Sequence, residues 1–584
     1  MATDATDDLE RVADLDSLRE EGRAVTMAGG RPVALFHHEG EVYAVDNRCP
    51  HMGFPLSKGS VEDGLLTCDW HHARFELAEG DTLDIWADDV QTFPTAVREG
   101  DVYVDPDPEP EVPPGTHWRN RLADGLAENL SLVTAKAVIN LDHLGEGFAT
   151  PLETAVDFGT QYRADGWGRG MTTLGAMANL YDEVGHDEKL RAMFVGVTDV
   201  ADNCSGEPPR FEQYALDNDD LSKTRLKSWF RDTCDVRDST GAERCLRTAA
   251  NVLPREDLVE IMVAAATDHV YMNNSHTVDF LNKAVETLDN VGWDRREAVL
   301  ATVVDAIAEA SRGEETSTWT RPVDVAGLCF DAAEDLPDMV AAGAGEEWER
   351  PDDFVETLLA DDPHEIDAAL RDAVAAGATT EQLAHAVAIA ACRRVAHFGT
   401  GNEFGDWNTV HHTVSFANAV DNLARRTGAD DVYEACWQGA MSVYLDRFLN
   451  QPRAAIPEPG EGAGEDPEQL RERLLETFDE QGRVDEAARI VGAHFAAGGD
   501  PAALKRTMGE GLLREDAGFH TLQNVEAGFR QFELARDDHE RRLALIAPAR
   551  YMAAHFPTRR EDEQTFEIAD RLSRGETIHE GTSD

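Results

Sequence analysis

The sequence predicts a multidomain architecture, with a small all-β domain followed by a long, mainly α-helical region with loose internal repeats. Three observations carry this reading. Short strand-like segments with turn signals fill residues 30–104. A proline- and acid-rich run follows, from Asp105 to Gly115. Beyond it the apolar period becomes helical, and histidine-containing triplets recur.

Taken in order, Pro32 to Phe36 and Val42 to Val45 read as strands, with turns at Gly40 and Gly64. The first domain is expected over 1–104 and a stiff, extended linker over 105–117. A helical domain is expected over 118–452, with Ala- and Leu-rich helices such as Asp257 to Thr267, Glu365 to Ala375 and Thr380 to Ala396. A softer break lies at Gly343 to Asp353. The run Pro457-Glu458-Pro459-Gly460 marks a second linker over 453–468, before a C-terminal helical block over 469–584.

With 53 Lys and Arg against 113 Asp and Glu, the formal charge is −60 over 584 residues. Nucleic acid and anionic membrane surfaces require a basic footprint, so both are excluded as partners. No run of about 18 apolar residues exists, so no membrane span is expected. Met1 to Glu10 is acidic and has no secretory pattern, so a cytoplasmic location is expected. The carboxylates are spread along the whole chain and lysine is scarce. This fits a halophilic protein, folded in high salt that screens its self-repulsion. Six of the eight cysteines are scattered, and buried thiols are the default in a reducing compartment, although Cys234 and Cys245 could pair.

The chemistry-bearing motif is Cys49-Pro50-His51, sixteen residues, then Cys68-Asp69-Trp70-His71. Two thiolates and two imidazoles suit a [2Fe–2S] cluster with two Cys on one iron and two His on the other. The same residue types can also bind zinc. Zinc fingers, however, group Cys with Cys and His with His, whereas each pair here mixes the two. Gly53 stands where the backbone must approach the cluster sulfurs. His37, His38 and His72 are extra histidines, and His72 is expected to be a surface residue at the tip.

On this motif, residues 30–104 resemble a Rieske [2Fe–2S] domain, with Cys49, His51, Cys68 and His71 as the implied metal ligands. Phe54 and Trp70 occupy the places of the extra disulfide in respiratory members, and Ala73 replaces their hydrogen-bonding Ser. The resemblance is thus to the ferredoxin and oxygenase type. It implies a potential toward the low end of the roughly −150 to +300 mV span, and one-electron transfer with an external ferredoxin or reductase as donor.

The helical region repeats His276-Thr277-Val278, His412-Thr413-Val414 and His520-Thr521-Leu522, with Asn282, Asn418 and Glu526 each six residues after the histidine. A second set, His269, His397 and His494, lies upstream, and a further Ala-His-Phe triplet contains His555. These segments resemble questin-oxidase-like proteins, which implies oxidation of a small organic, aromatic substrate. Histidines at equivalent points of stacked repeats can converge on one site. His276, His412 and His520 are therefore the candidate catalytic residues. A second metal (non-haem iron) could bind there, completed by Asp279, Glu403 or Glu526 and lined by Phe404, Trp407 and Phe519. His411 is expected to point away, because neighbours on a helix diverge by about 100°. The carboxylate and His-x₄₋₅-His pattern of Rieske oxygenases does not carry over. Its nearest match, Asp268-His269 with His276, has a gap of six. No Gly-x-Gly-x-x-Gly fingerprint marks a flavin or nicotinamide site. The expected function is a Rieske iron–sulfur oxidoreductase that feeds electrons to this region. The alternatives are an electron carrier on a non-catalytic helical scaffold, and metal-free oxidation with histidines as bases.

Overall fold

A computed structural model describes residues 9–110, 112–218, 220–449 and 451–576. It divides the chain into two compact units. One holds the residues up to Thr154 with the chain from Gln564 on, and the other spans Ala155–Glu563.

Among the described residues, the first unit contains three three-stranded antiparallel sheets. Strand β1 (Glu10–Asp14) pairs with β9 (Asp101–Val104), which also pairs with β8 (Thr95–Arg98). Strands β2 (Arg23–Ala28), β3 (Arg31–His38) and β4 (Glu41–Asp46) form a meander. A smaller meander joins β5 (Ser60–Glu62), β6 (Leu65–Thr67) and β7 (Arg74–Glu76). The hairpin turn between β3 and β4 uses Gly40 at φ 96°, where a side chain would be strained.

Alternation along β3 and β4 builds two cores from one hairpin. Val33 and Leu35, with Val42 and Ala44, face Val102, Val104 and helix α1 (Leu15–Glu21). Ala34 and Phe36, with Tyr43 and Val45, face the opposite way onto Leu66, Phe75, Cys49 and Cys68. The hairpin is thus the wall against which the loops carrying Cys49 and Cys68 pack.

The boundaries expected from composition do not coincide with the two units. Helix α2 (Pro114–Ala127) begins inside the expected 105–117 linker, and α3 (Ser131–His143) follows it within the first unit. The reason is a buried ion-pair network: Arg121 Nε and Lys136 Nζ lie 2.8 and 3.0 Å from the carboxylate of Asp88. The expected 453–468 linker is also pinned. Ala454 N donates to the His397 carbonyl, and Arg550 donates to the Ala455 carbonyl. The block expected from residue 469 is divided between the units: up to Glu563 it belongs to the second unit, where the helix Phe519–Leu534 packs on Arg169–Leu180 and Phe404–Thr427, and from Gln564 it belongs to the first.

The second unit is helical. Its helices begin where polar caps stand. The Thr379 and Gln382 side chains form a capping box at Thr380–Ala396, and Asp500 caps Pro501–Leu513. The helix Phe404–Thr427 is central and packs against His276–Val291, Thr380–Ala396, Asp431–Leu445 and Phe519–Leu534. All eight cysteines are free and buried, so Cys234 and Cys245 do not pair. Among the described residues no helix is long and apolar enough to cross a membrane.

Candidate functional site

Two loops of the first unit share one turn. The Cys49 carbonyl accepts from Gly53 N at 2.7 Å, and Cys49 N donates to the Phe54 carbonyl at 2.8 Å. The Cys68 carbonyl accepts from His72 N at 3.1 Å, and Cys68 N donates to the Ala73 carbonyl at 2.8 Å. In each loop the residue four positions after the cysteine has a left-handed backbone, Gly53 at φ 74° and His72 at φ 63°. His72 is exposed, and its backbone closes the turn.

These turns sort the four ligand candidates by element. Cys49 and Cys68 are buried in one core, where each thiol acts on the other. Their interaction raises Cys49 and lowers Cys68 to about 6. The His51 and His71 rings meet edge to face at 4.9 Å. Each loop mixes Cys and His, yet in space Cys meets Cys and His meets His. That is the division a two-iron cluster with mixed ligation requires. His51 Nδ1 is buried and has no hydrogen-bond partner, which leaves its lone pair for a metal. Burial, Lys136 and His71 lower His51 to about 4, so the ring is neutral as ligation demands. Trp86 packs on His51 at 4.7 Å and Trp70 on His71 at 3.9 Å. The residues therefore fit a [2Fe–2S] cluster held by Cys49, His51, Cys68 and His71.

A family model described as the Rieske [2Fe-2S] domain matches residues 9–94. The ferredoxin subunit of 3-phenylpropionate/cinnamic acid dioxygenase from Photorhabdus laumondii is 40% identical over 74 residues, 12% of this chain and 70% of that protein. The Escherichia coli K12 subunit of the same name is 37% identical over 93 residues, 15% of this chain and 88% of that protein. The chain belongs to the Rieske [2Fe–2S] family. Among solved structures, the ferredoxin of carbazole 1,9a-dioxygenase from Nocardioides aromaticivorans IC177 is similar at 24% identity and a TM-score of 0.17. It covers 17% of this chain and 100% of that one. Each likeness covers less than a fifth of this Rieske protein and leaves its helical unit unaddressed.

Sequence reasoning missed Lys136. Its ammonium lies behind the first ligand loop and donates to the carbonyls of Pro50 and His51 while pairing with Asp88. No local motif announces it, because it arrives from a helix beyond the family's own boundary.

In the helical unit the structure brings His276, His412 and His520 together. One nitrogen from each lies within 4.8 Å of the others. His412 Nε2 and His520 Nε2 are 3.3 Å apart, and the His276 ring sits 4.8 Å from His412 and 5.8 Å from His520. Three different helices supply them: His276–Val291, Phe404–Thr427 and Phe519–Leu534. Burial, then neighbouring histidines, lower His412 to about 4 and His520 to about 3. Two nitrogens on one metal stand at most about 4.2 Å apart at ordinary bond lengths, so the closest pair already suits a shared ion.

Of the expected carboxylates, only Asp279 is adjacent. It is buried one turn after His276, 3.8 Å from its Nδ1, and takes both amide hydrogen bonds of Gln523. Glu403 instead caps the Phe404 helix, because its side chain is drawn to the free N–H groups there. Glu526 pairs with buried Lys283 and Asn179. Phe519 packs on His276 and His520, whereas Trp407 packs on Phe398 and Tyr551, and Phe404 is exposed beside His555.

His411 does not point away. It is fully buried, 4.6 Å from the His520 ring, with Nε2 unpartnered. The Phe404 helix is surrounded by neighbours, so side chains 100° apart both meet protein. The upstream histidines do not converge on this site. His269 binds Glu314 and Asp235, His397 binds the Ala454 carbonyl, and neither ring nitrogen of buried His494 has a hydrogen-bond partner.

Immediately before His276 the backbone is left-handed at Tyr271, Asn273, Asn274 and Ser275, with φ of 47°, 50°, 53° and 96°. Asn273 anchors this segment through Ser311, Thr277 and the Ala306 carbonyl. Such a run is unfavourable for residues with side chains and collects at functional sites.

Proposed function

We propose that the protein is an oxidoreductase in which the Rieske domain delivers single electrons for oxidation of a small organic substrate at the His276–His412–His520 site. When bound, the [2Fe–2S] cluster supplies reversible one-electron transfer. Cys49, Cys68, His51 and His71 would hold it through their thiols and imidazoles. Trp70 and Trp86 pack on the two imidazoles. Lys136 holds the first loop in place.

In the helical unit, His276, His412 and His520 offer imidazole nitrogens, and Asp279 offers a carboxylate oriented by Gln523. Three imidazoles with one carboxylate suit non-haem iron. The observation that carries the reading is the convergence of three repeat histidines from three helices. The relatives named above are ferredoxin subunits of dioxygenases, and by analogy an external reductase or ferredoxin is the electron donor here. The charge of −60 supports work in a high-salt cytoplasm.

Metal content per chain, with EPR after dithionite reduction, tests this. We expect two irons with a Rieske signal plus one further metal equivalent. In His412→Ala the further equivalent should be lost with the Rieske signal intact. A wild-type protein carrying two irons and no other metal would sink the helical metal site. Zinc in place of the two irons would sink the cluster.

A further inference from the structure

The helical unit has a further feature at the far end of the Phe519–Leu534 helix from His520. A cavity of about 510 Å³ opens there, within the range of small-molecule sites. Its walls include Phe495, Phe532, Pro459 and Pro501, and its floor carries Arg542.

Arg542 is 7% exposed, and its Nε is buried with no hydrogen-bond partner. Among the described residues its guanidinium makes no ion pair. The other buried cations differ. Arg121, Lys136, Arg247, Lys283, Lys505 and Arg550 each hold a carboxylate, and Arg394 holds the Val443 carbonyl. Among the described residues, Arg542 is the buried arginine with neither a carboxylate nor a carbonyl on its guanidinium. Nearby acids are engaged or distant. Lys505 holds Glu533 and Arg541 holds Asp538, while Glu458 attracts Arg542 from beyond ion-pair distance. Burying a cation without a partner is costly, and a ligand that brings the missing anion recovers that cost.

We propose that this cavity binds a small organic carboxylate with an apolar body. One unpaired guanidinium matches a monoanion, and its fork accepts a carboxylate in bidentate fashion. The Phe495 and Phe532 rings, 6.3 Å apart, flank the space for the apolar part. The inference does not depend on the metal reading of the histidine site.

Benzoate is the test probe, with benzamide and inorganic phosphate as controls, read by calorimetric titration and thermal shift of the full chain at constant ionic strength. Benzoate should bind and raise the unfolding midpoint. Benzamide and phosphate should do neither. Arg542→Met should weaken benzoate binding about ten-fold or more, the usual effect of losing a charged hydrogen-bond partner. Without ligand this variant should unfold no earlier than the wild type. If it does not fold, Phe495→Ala keeps the guanidinium and should bind benzoate several-fold more weakly. The proposal is overturned if benzoate does not bind, or if benzamide or phosphate binds as well as benzoate. It is also overturned if Arg542→Met or Phe495→Ala leaves benzoate affinity unchanged.

Discussion

Lys136 brings a full positive charge behind the loop that carries Cys49 and His51, out of water and tied to Asp88. A cation at that place favours the reduced, more negative cluster. Lys136→Met should therefore lower the midpoint potential by protein-film voltammetry. It should also cost about 3 kcal/mol or more in unfolding free energy, since Asp88 loses one of its two buried cations. An unchanged potential would show that the lysine acts on stability alone. Residue-scale legibility divides along the same line. The motif of Cys49, His51, Cys68 and His71 is visible in the sequence because its spacing is local, and the structure brings the two cysteines into one core and the two histidine rings into contact. Lys136 and the inward placement of His411 were not, because both depend on which helix packs where.

At the scale of elements, His385 joins three helices. It projects from Thr380–Ala396, with Nδ1 3.3 Å from Asp421 of the Phe404 helix and Nε2 3.1 Å from Glu540 of Asp538–His555. Burial pushes its pKa down, but the hydrogen bonds to the two carboxylates outweigh this and leave it raised above 6.5. A raised histidine pKa stabilises the fold fully below about 6.5 and loses that contribution as pH climbs through the folded value. The stability gap between wild type and His385→Gln should thus be wider at pH 6 than at pH 9 in urea titrations. A gap of about 3 kcal/mol is expected at the lower pH. A gap that grows with pH would refute the assigned charge state. The helices themselves were largely legible. Thr380 to Ala396 was expected and observed at the same bounds, because a capping box and an apolar period mark it locally. Proline and glycine content reports local stiffness, whereas the Asp88 clasp and the Arg550–Ala455 bond are long-range and leave no local mark in the sequence.

For the whole molecule, a formal charge of −60 makes self-repulsion a standing load on the folded state. Carboxylates outnumber cations about two to one, so cations cannot neutralise them one for one. Raising salt from about 0.1 M to about 1 M shortens the screening length from about 10 Å to about 3 Å. The unfolding midpoint should rise monotonically over that range with sodium chloride, as read by circular dichroism. A flat response would show that the charges are already accommodated by geometry. The two-part architecture, a small β domain before a helical remainder, was visible in the change of period at the proline run. The division into compact units was not, since helices α2 and α3 are helical by composition and belong to the first unit by contact.

The left-handed run before His276 has a consequence for how this protein could be improved or spoiled. Ser275 holds φ at 96°, a value that glycine adopts freely. Ser275→Gly should make the chain sturdier by about 1 kcal/mol while loosening the anchor that aims His276. The variant should survive heating better and hold its helical-unit metal less tightly, as chelator titration would reveal. Robustness and competence then pull in opposite directions at a single peptide unit, and a selection for thermal endurance alone would erode the site.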